Sequence, residues 1–251
     1  MAKTPGKFSD GEVERYARHL VLKEVGGPGQ QRLRAARVLI VGVGGLGGPA
    51  ALYLAAAGVG VLGLADPDSV SLSNLQRQVL FSTLDLGESK VQAGGERLVA
   101  LNPHVEIEAY AARVEPRNVD ALVAGYDVVL DGTDDFETRA AVNAACVAAG
   151  KPLVSGALGR WSGQVGVFAG RPCWRCLVPE TPPDAETCAA VGVVGALAGV
   201  VGSVMALEAV KLVTGAGEAL AGRLWMYDGL AGESRTVRVA ADPACPVCAT
   251  R

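Results

Sequence analysis

The sequence has no surplus of positive charge. Its 23 Lys and Arg stand against 26 Asp and Glu, giving a formal net charge of −3 and a pI of about 5.5. That excludes the basic footprint expected of a partner for nucleic acid or anionic lipid. An apolar leader is also missing: Met1-Ala-Lys-Thr-Pro-Gly-Lys7 has no hydrophobic core of its own, so the expected location is the cytoplasm. A reducing compartment disfavours disulfides. The six cysteines, four of them in two Cys-x-x-Cys pairs, therefore read as metal ligands or reactive thiols. One apolar run needs separate weighing: Ala189 to Leu207 passes without a charge, with Gly195 and Gly199 forming a G-x-x-x-G that also suits a membrane span.

What is present is a chain of 251 residues, 50% hydrophobic, enough for one large α/β domain with a sizeable core. Its organising stretch is Arg37-Val-Leu-Ile-Val-Gly42-Val-Gly44-Gly45-Leu-Gly47. Four apolar residues after Arg37 read as a strand buried on both faces, and Gly47 onward through Ala50, Ala51, Leu52 and Leu54 as the following helix. Gly42 permits a tight turn, and Gly44 and Gly45 let the backbone approach an anion. The helix N-terminus adds unpaired N–H groups, so a nucleotide phosphate fits there. By itself this pattern equally suits a nicotinamide or flavin dinucleotide.

Val59 to Ala65 reads as the second strand, ending in Asp66 with Asp68 beyond it. An acid about 20 residues after a glycine-rich turn is placed to hold a ribose hydroxyl. The next segment departs from a dehydrogenase. Ser71-Leu-Ser-Asn74-Leu-Gln-Arg77-Gln78 precedes a helix that starts near Lys90, bringing Asn74 and two cations toward the phosphate crevice. A hydride-transfer site has little use for two cations, whereas a triphosphate undergoing bond exchange at phosphorus requires them. A third strand, Asp127-Val-Val-Leu-Asp131, is followed by Gly-Thr-Asp134-Asp135 and a helix from about Phe136 to Ala149. Acids there suit Mg²⁺ beside phosphate oxygens, with helix capping by Asp131 or Asp134 as the alternative. Upstream, Ser9 and Glu12 predict a capping box for a helix with the apolar stripe Val13, Tyr16, Ala17, Leu20 and Val21. Arg15 and Arg18 fall on its polar side, and Gly26-Gly-Pro-Gly29 is expected to break the chain before the first strand.

Taken together, these segments resemble the ATP-dependent adenylyltransferases that activate ubiquitin-like sulfur carriers. This is the molybdopterin-synthase and thiamine sulfur-carrier adenylyltransferase family, bacterial relatives of ubiquitin-activating enzymes. The resemblance runs from Ser9 to Cys248 through Arg15-Tyr-Ala-Arg18, Gly42-Val-Gly-Gly-Leu-Gly47, Asp66-Pro-Asp68, Ser73-Asn-Leu-Gln-Arg-Gln78, Lys90 and Asp131-Gly-Thr-Asp134. It implies a Rossmann-like, doubly wound, mostly parallel sheet with helices on both faces. Gly45, Asp66, Asn74, Arg77, Lys90 and Asp134 would line the ATP site, Asp134 as the Mg²⁺-linked acid, and Arg18 would enter the site of a second subunit in a homodimer. The family usually carries Asn where this chain has Asp135. The implied substrate is a small carrier protein ending in Gly-Gly, adenylylated with release of pyrophosphate. Longer relatives add a sulfurtransferase domain, so the sulfur donor here is expected to be a separate protein.

The metal reading rests on its own spacing. Cys173-Trp-Arg-Cys176 and Cys245-Pro-Val-Cys248 each set two thiolates on a tight turn, suiting a structural Zn²⁺ that ties the C-terminal part back to the body. A single membrane span would separate the two pairs, so the run near Gly192 to Val213 is expected to be a buried helix, at a subunit interface. Cys146 reads as core. Cys188, before that helix, matches a family position that forms a covalent thioester or persulfide in some branches. Leu224 to Glu233 and Arg235 to Val239 predict a hairpin. The expected organisation is a helical arm over 1–30, a nucleotide-binding core over 37–170 and a zinc-tied part over 171–251. The competing functional classes are an NAD-dependent oxidoreductase, a silent zinc-stabilised binding module and an activator of a modified tRNA base, the last disfavoured by the acidic pI.

Overall fold

The computed structural model describes residues 6–180 and 192–249. The apolar run after Arg37 becomes β1 (Arg37–Val41), the centre of an eight-stranded sheet. With β2 (Val61–Ala65), β3 (Glu106–Tyr110), β4 (Val128–Asp131) and β5 (Leu153–Gly159) it forms a parallel half in the order β3-β2-β1-β4-β5. An antiparallel half follows: β6 (Ser162–Phe168), then β7 (Arg223–Asp228) and β8 (Glu233–Arg238), which form the expected hairpin. Crossing β1, the chain order reverses, and strand tips diverge on either side of it. That switch point is where an open α/β sheet leaves a crevice for a ligand.

Helices cover both faces of the parallel half. On one face lie α3 (Gly26–Ala35), α4 (Gly47–Ala57), α5 (Lys90–Leu101) and the long α9 (Gly195–Thr214), over a core that includes Val38, Ile40, Leu54, Leu64 and Met205. On the other lie α6 (Val119–Ala124) and α7 (Phe136–Ala149), over Leu39, Val41, Val129, Val142 and Leu153. A strand covered on both sides cannot alternate apolar with polar residues, which is why β1 reads as a continuous apolar run. Each fully buried aliphatic side chain contributes about 1.5–3 kcal/mol.

The uncharged run becomes α9, a helix long and apolar enough to cross a membrane. Its inner face, Leu197, Val201, Met205 and Ala209, is instead packed on the sheet. Small residues allow this: a Cβ on Gly202 would lie 2.5 Å from the Leu46 carbonyl oxygen, and one on Gly195 2.1 Å from that of Gln76. A Cβ on Gly199 would meet nothing within 4 Å, so the G-x-x-x-G pairs with no helix among the described residues. Val200 and Leu207 on the outer face stay exposed.

Two N-terminal expectations need correction. The capping box at Ser9 and Glu12 forms, but the helix is interrupted at Tyr16 into α1 (Asp10–Arg15) and α2 (Ala17–Leu20). Tyr16 is fixed beneath Gly58 and accepts a hydrogen bond from Asn102 at 2.9 Å, whereas Val13 and Val21 are exposed, so the predicted stripe does not bury as one face. Gly26-Gly-Pro-Gly29 does not break the chain either; it opens α3. Proline is tolerated there because first-turn N–H groups have no partner within the helix.

Candidate active site and cysteine cluster

The C-terminal tips of β1, β2 and β4 surround a cleft of about 570 Å³. Gly42 leaves β1 with φ +83°, a left-handed turn that glycine adopts without strain. Gly47, the last glycine of the pattern, is required by packing. It does not line the cleft; a Cβ there would lie 1.9 Å from the Gly42 carbonyl oxygen, so its hydrogen lets α4 start directly against the turn. Gly44 and Gly45 do line the cleft and keep its floor bare. A side chain on Gly44 would meet the Gln78 amide at 3.3 Å, and the buried Gln78 Oε1 has no hydrogen-bond partner among the described residues. A bare backbone floor under an orphaned amide fits a ligand with phosphate and hydroxyl groups.

Asp66, at the tip of β2, lines the cleft. Asp66 accepts from the Val43 N–H at 2.8 Å and from the Asp68 N–H at 2.9 Å. Burial raises its pKa, countered by Lys90 and those N–H groups. Lys90 begins α5, is itself buried, and donates to Asp68 at 2.8 Å with Asp66 at 3.9 Å. An ammonium has three donors, so one is left for a ligand anion. Asn74 and Arg77 come from the turn after β2, and Arg77 is steadied by the Ser73 carbonyl at 3.1 Å.

At the β4 tip the three acids divide their roles. Asp131 is fully buried and engaged by the Thr133 N–H and hydroxyl, Ser155 at 3.0 Å and Arg139 at 3.5 Å, so it is neither a helix cap nor open to a metal. The cap of α7 is Asp135, accepting from the Glu137 and Thr138 N–H groups and pairing with Arg113 at 3.5 Å. Asp134 alone faces the cleft exposed, with no partner among the described residues, which suits a carboxylate for a phosphate-bound Mg²⁺. Arg139, missed from sequence, holds the corner by bonding the Thr133 and Gly156 carbonyls. Its one trace in the sequence is a charge within a largely apolar helix.

Arg18 is exposed and does not line the cleft of its own chain. Cys188 lies outside the described residues. Cys146 is core, its thiol pushed up to about 12 by burial and then by Asp131.

The two Cys-x-x-Cys pairs do converge. The sulfurs of Cys173, Cys176, Cys245 and Cys248 lie within 4.8 Å of one another, and all but Cys176 are fully buried. Cys173 caps the short α8 (Trp174–Leu177), and Asn143 of α7 donates to its sulfur at 3.6 Å while accepting the Trp174 N–H. Burial pushes Cys248 up to about 12. Cys245 is also penalised by burial but is brought down to about 7 by the Val247 and Cys248 N–H groups. Four thiols this close ionise together only around a cation, and an all-sulfur set with a supporting amide fits Zn²⁺.

Comparison with known proteins agrees with this geometry. The model of the ThiF family matches residues 16–247. The chain belongs to the ThiF family. The sulfur carrier protein adenylyltransferase of Thermus thermophilus is 47% identical over 251 residues, covering 96% of this chain and 93% of that protein. The molybdopterin-synthase adenylyltransferase of Escherichia coli is 44% identical over 245 residues, covering 96% and 98% respectively. Among solved structures, E. coli MccB superposes with a TM-score of 0.84 at 22% identity, over 98% of this chain and 75% of that one, a likeness of fold. The cleft thus sits on a sheet whose fold is shared with MccB.

Proposed function

We propose that this protein adenylylates the C-terminal carboxylate of a small ubiquitin-like sulfur carrier ending in Gly-Gly, using ATP and releasing pyrophosphate. The observation that carries the reading is the continuity of two cavities. The nucleotide cleft shares Ala157, Leu158 and Gln164 with a groove of about 630 Å³ lined by residues of β5 to β8, which offers an extended path into the cleft for a polypeptide end. The relatives named above, adenylyltransferases of matching length, support the same reaction. Of the carriers, the molybdopterin-synthase small subunit is our choice, on the strength of the E. coli relative's name, with thiamine and tRNA-thiolation carriers as alternatives.

In this reaction the carrier carboxylate, already ionised at neutral pH, attacks the α-phosphorus. A new P–O bond forms as the bond to the β-phosphate oxygen breaks, and the electron pair leaves with pyrophosphate. No side-chain base is needed. Gly44 and Gly45 seat the phosphates, Asp66 the ribose, and Asn74, Arg77 and Lys90 hold the phosphoryl oxygens against their developing charge. Mg²⁺ held by Asp134 would neutralise phosphate charge. Arg18 acts in the cleft of a partner chain, a reading supported by its exposure away from its own cleft and by the exposed Val21, Leu22, Val200 and Leu207 that a homodimer would cover. The four cysteines hold Zn²⁺ structurally, and the acyl-adenylate is opened by sulfur from a separate donor in the cytoplasm.

The test is ATP–pyrophosphate exchange with each carrier class in turn. Exchange that requires a carrier with a free Gly-Gly terminus supports the reading. Nicotinamide dinucleotide binding without exchange would replace it with the oxidoreductase alternative.

A further inference from the structure

Where the cleft meets the groove, one polar side chain lies in both. Ala157, Leu158 and Gln164 line the junction, and only Gln164 has a side chain that can hydrogen-bond. We propose that Gln164 contacts the terminal carboxyl group of the carrier and aligns it with the α-phosphorus. This rests on the adenylylation reading above and adds a residue to it.

Strand register fixes where Gln164 sits. Ala157 of β5, Gln164 of β6, Met226 of β7 and Arg235 of β8 are successive cross-strand neighbours, forming one row from the cleft outward. Facing is fixed by the neighbouring glycine. A Cβ on Gly163 would meet Val201 and Leu197 of α9, so the alternation of a strand sends Gln164 to the opposite, open face. Gln164 is half-buried, and its side-chain amide has no hydrogen-bond partner among the described residues. Groups in that state within a cavity are available to a ligand.

The surroundings match the end of a carrier chain. Ala157 and Gly159 share the open face with Ser162, so the floor beside Gln164 is low and admits a terminus without side chains. A primary amide offers two donors for a carboxylate or peptide oxygen and one acceptor for a peptide N–H. Being neutral, it orients the nucleophile without the attraction of a fixed cation that would hold the negative charge back from phosphorus. Gln164 gains and loses no proton as the P–O bonds exchange; its contribution is alignment, on which in-line displacement depends steeply.

The experiment uses the full-length protein with a molybdopterin-synthase small subunit ending in Gly-Gly as probe, comparing Gln164→Leu and Gln164→Glu with wild type. For Gln164→Leu the expected result is a fall in kcat for carrier-dependent exchange of about 10- to 100-fold. ATP affinity, carrier affinity measured by calorimetry without ATP, and melting temperature should stay near wild type. For Gln164→Glu, kcat should fall about tenfold further, because a fixed carboxylate repels the incoming one. Wild-type kcat in Gln164→Leu, a Gln164→Glu variant as active as Gln164→Leu, or a matching loss of ATP affinity or melting temperature would each overturn the assignment. Failure of wild type to exchange with any carrier would instead strike the adenylylation reading itself.

Discussion

The two halves of the sheet are built on opposite terms. In β1 and β4 nearly every residue is buried beneath helices on both faces, and the useful chemistry is confined to the strand tips. In β8 every residue is exposed, and α9 covers the antiparallel half on one face only. The parallel half therefore makes a stiff rim on which small groups are set to within a bond length, as a nucleotide requires. The antiparallel half keeps a sheet surface open for a polypeptide, and it lacks the packing that would hold its last strand and C-terminal segment. The cysteine cluster supplies that hold, joining the segment after β8 to α7 and α8. On the proposed reading, phosphate chemistry and protein docking fall on one sheet, meeting at β5 and β6.

Breaking the weaker half should have the largest effect. Cys176→Ser or Cys248→Ser should remove about one zinc per chain and lower the melting temperature by on the order of 10 °C, since structural zinc contributes directly to folding. Metal analysis and thermal melts check this; unchanged zinc content and melting temperature would show that the sulfurs do not hold the ion. Breaking the rim should leave stability alone. Asp134→Ala removes an exposed side chain unpaired among the described residues, so it should melt like wild type yet lose about 10²–10³-fold in exchange rate.

A sharper variant tests whether the rim is completed from outside. If Arg18 serves a partner's cleft, Arg18→Ala and Asp134→Ala are each nearly inactive alone. A randomly exchanged equal mixture of the two then recovers roughly a quarter of wild-type activity, half the dimers times half the sites. No recovery would place Arg18 with its own chain.

The smallest effect concerns Asp135. Burial alone would raise its pKa, but the Thr138 hydroxyl, the Thr138 and Glu137 N–H groups and Arg113 together hold it below the usual aspartate range. Its contribution to stability is therefore full above the unfolded value and is lost as pH falls through the lowered folded value. Asp135→Asn should shrink that acid limb by under about 1 kcal/mol, because the pair with Arg113 is largely solvated. Acid titration of the melting temperature reads it directly.

Much of the parallel half was legible because its signals are local. A buried strand must be apolar throughout, a phosphate turn must be glycine-rich, and acids at strand tips are few, so β1, β2, β4 and the cleft residues from Gly42 to Asp134 could be read in order. The roles of the three acids at β4 could not. Asp131, Asp134 and Asp135 differ only in which neighbours engage them, Ser155 and Arg139 for one and Thr138 for another, and those neighbours come from β5 and α7. Spacing places Gly47 at the start of the helix but does not reveal that its hydrogen rests on the Gly42 carbonyl. Gln164 was invisible for the same reason: nothing in Ser162-Gly-Gln-Val announces a junction between two cavities, which exists only once β5, β6 and β7 are aligned.

The most direct test of the division between the halves is amide hydrogen exchange on the intact protein, with ATP alone and with carrier alone. Protection by ATP should be confined to the segments from Gly42 to Gly47, Asp66 to Lys90 and Gly132 to Thr138. Protection by carrier should fall on β6, β7 and β8, the two footprints meeting around Ala157 and Gln164. Carrier protection on the outer face of α9 instead, with β7 and β8 unchanged, would contradict the account.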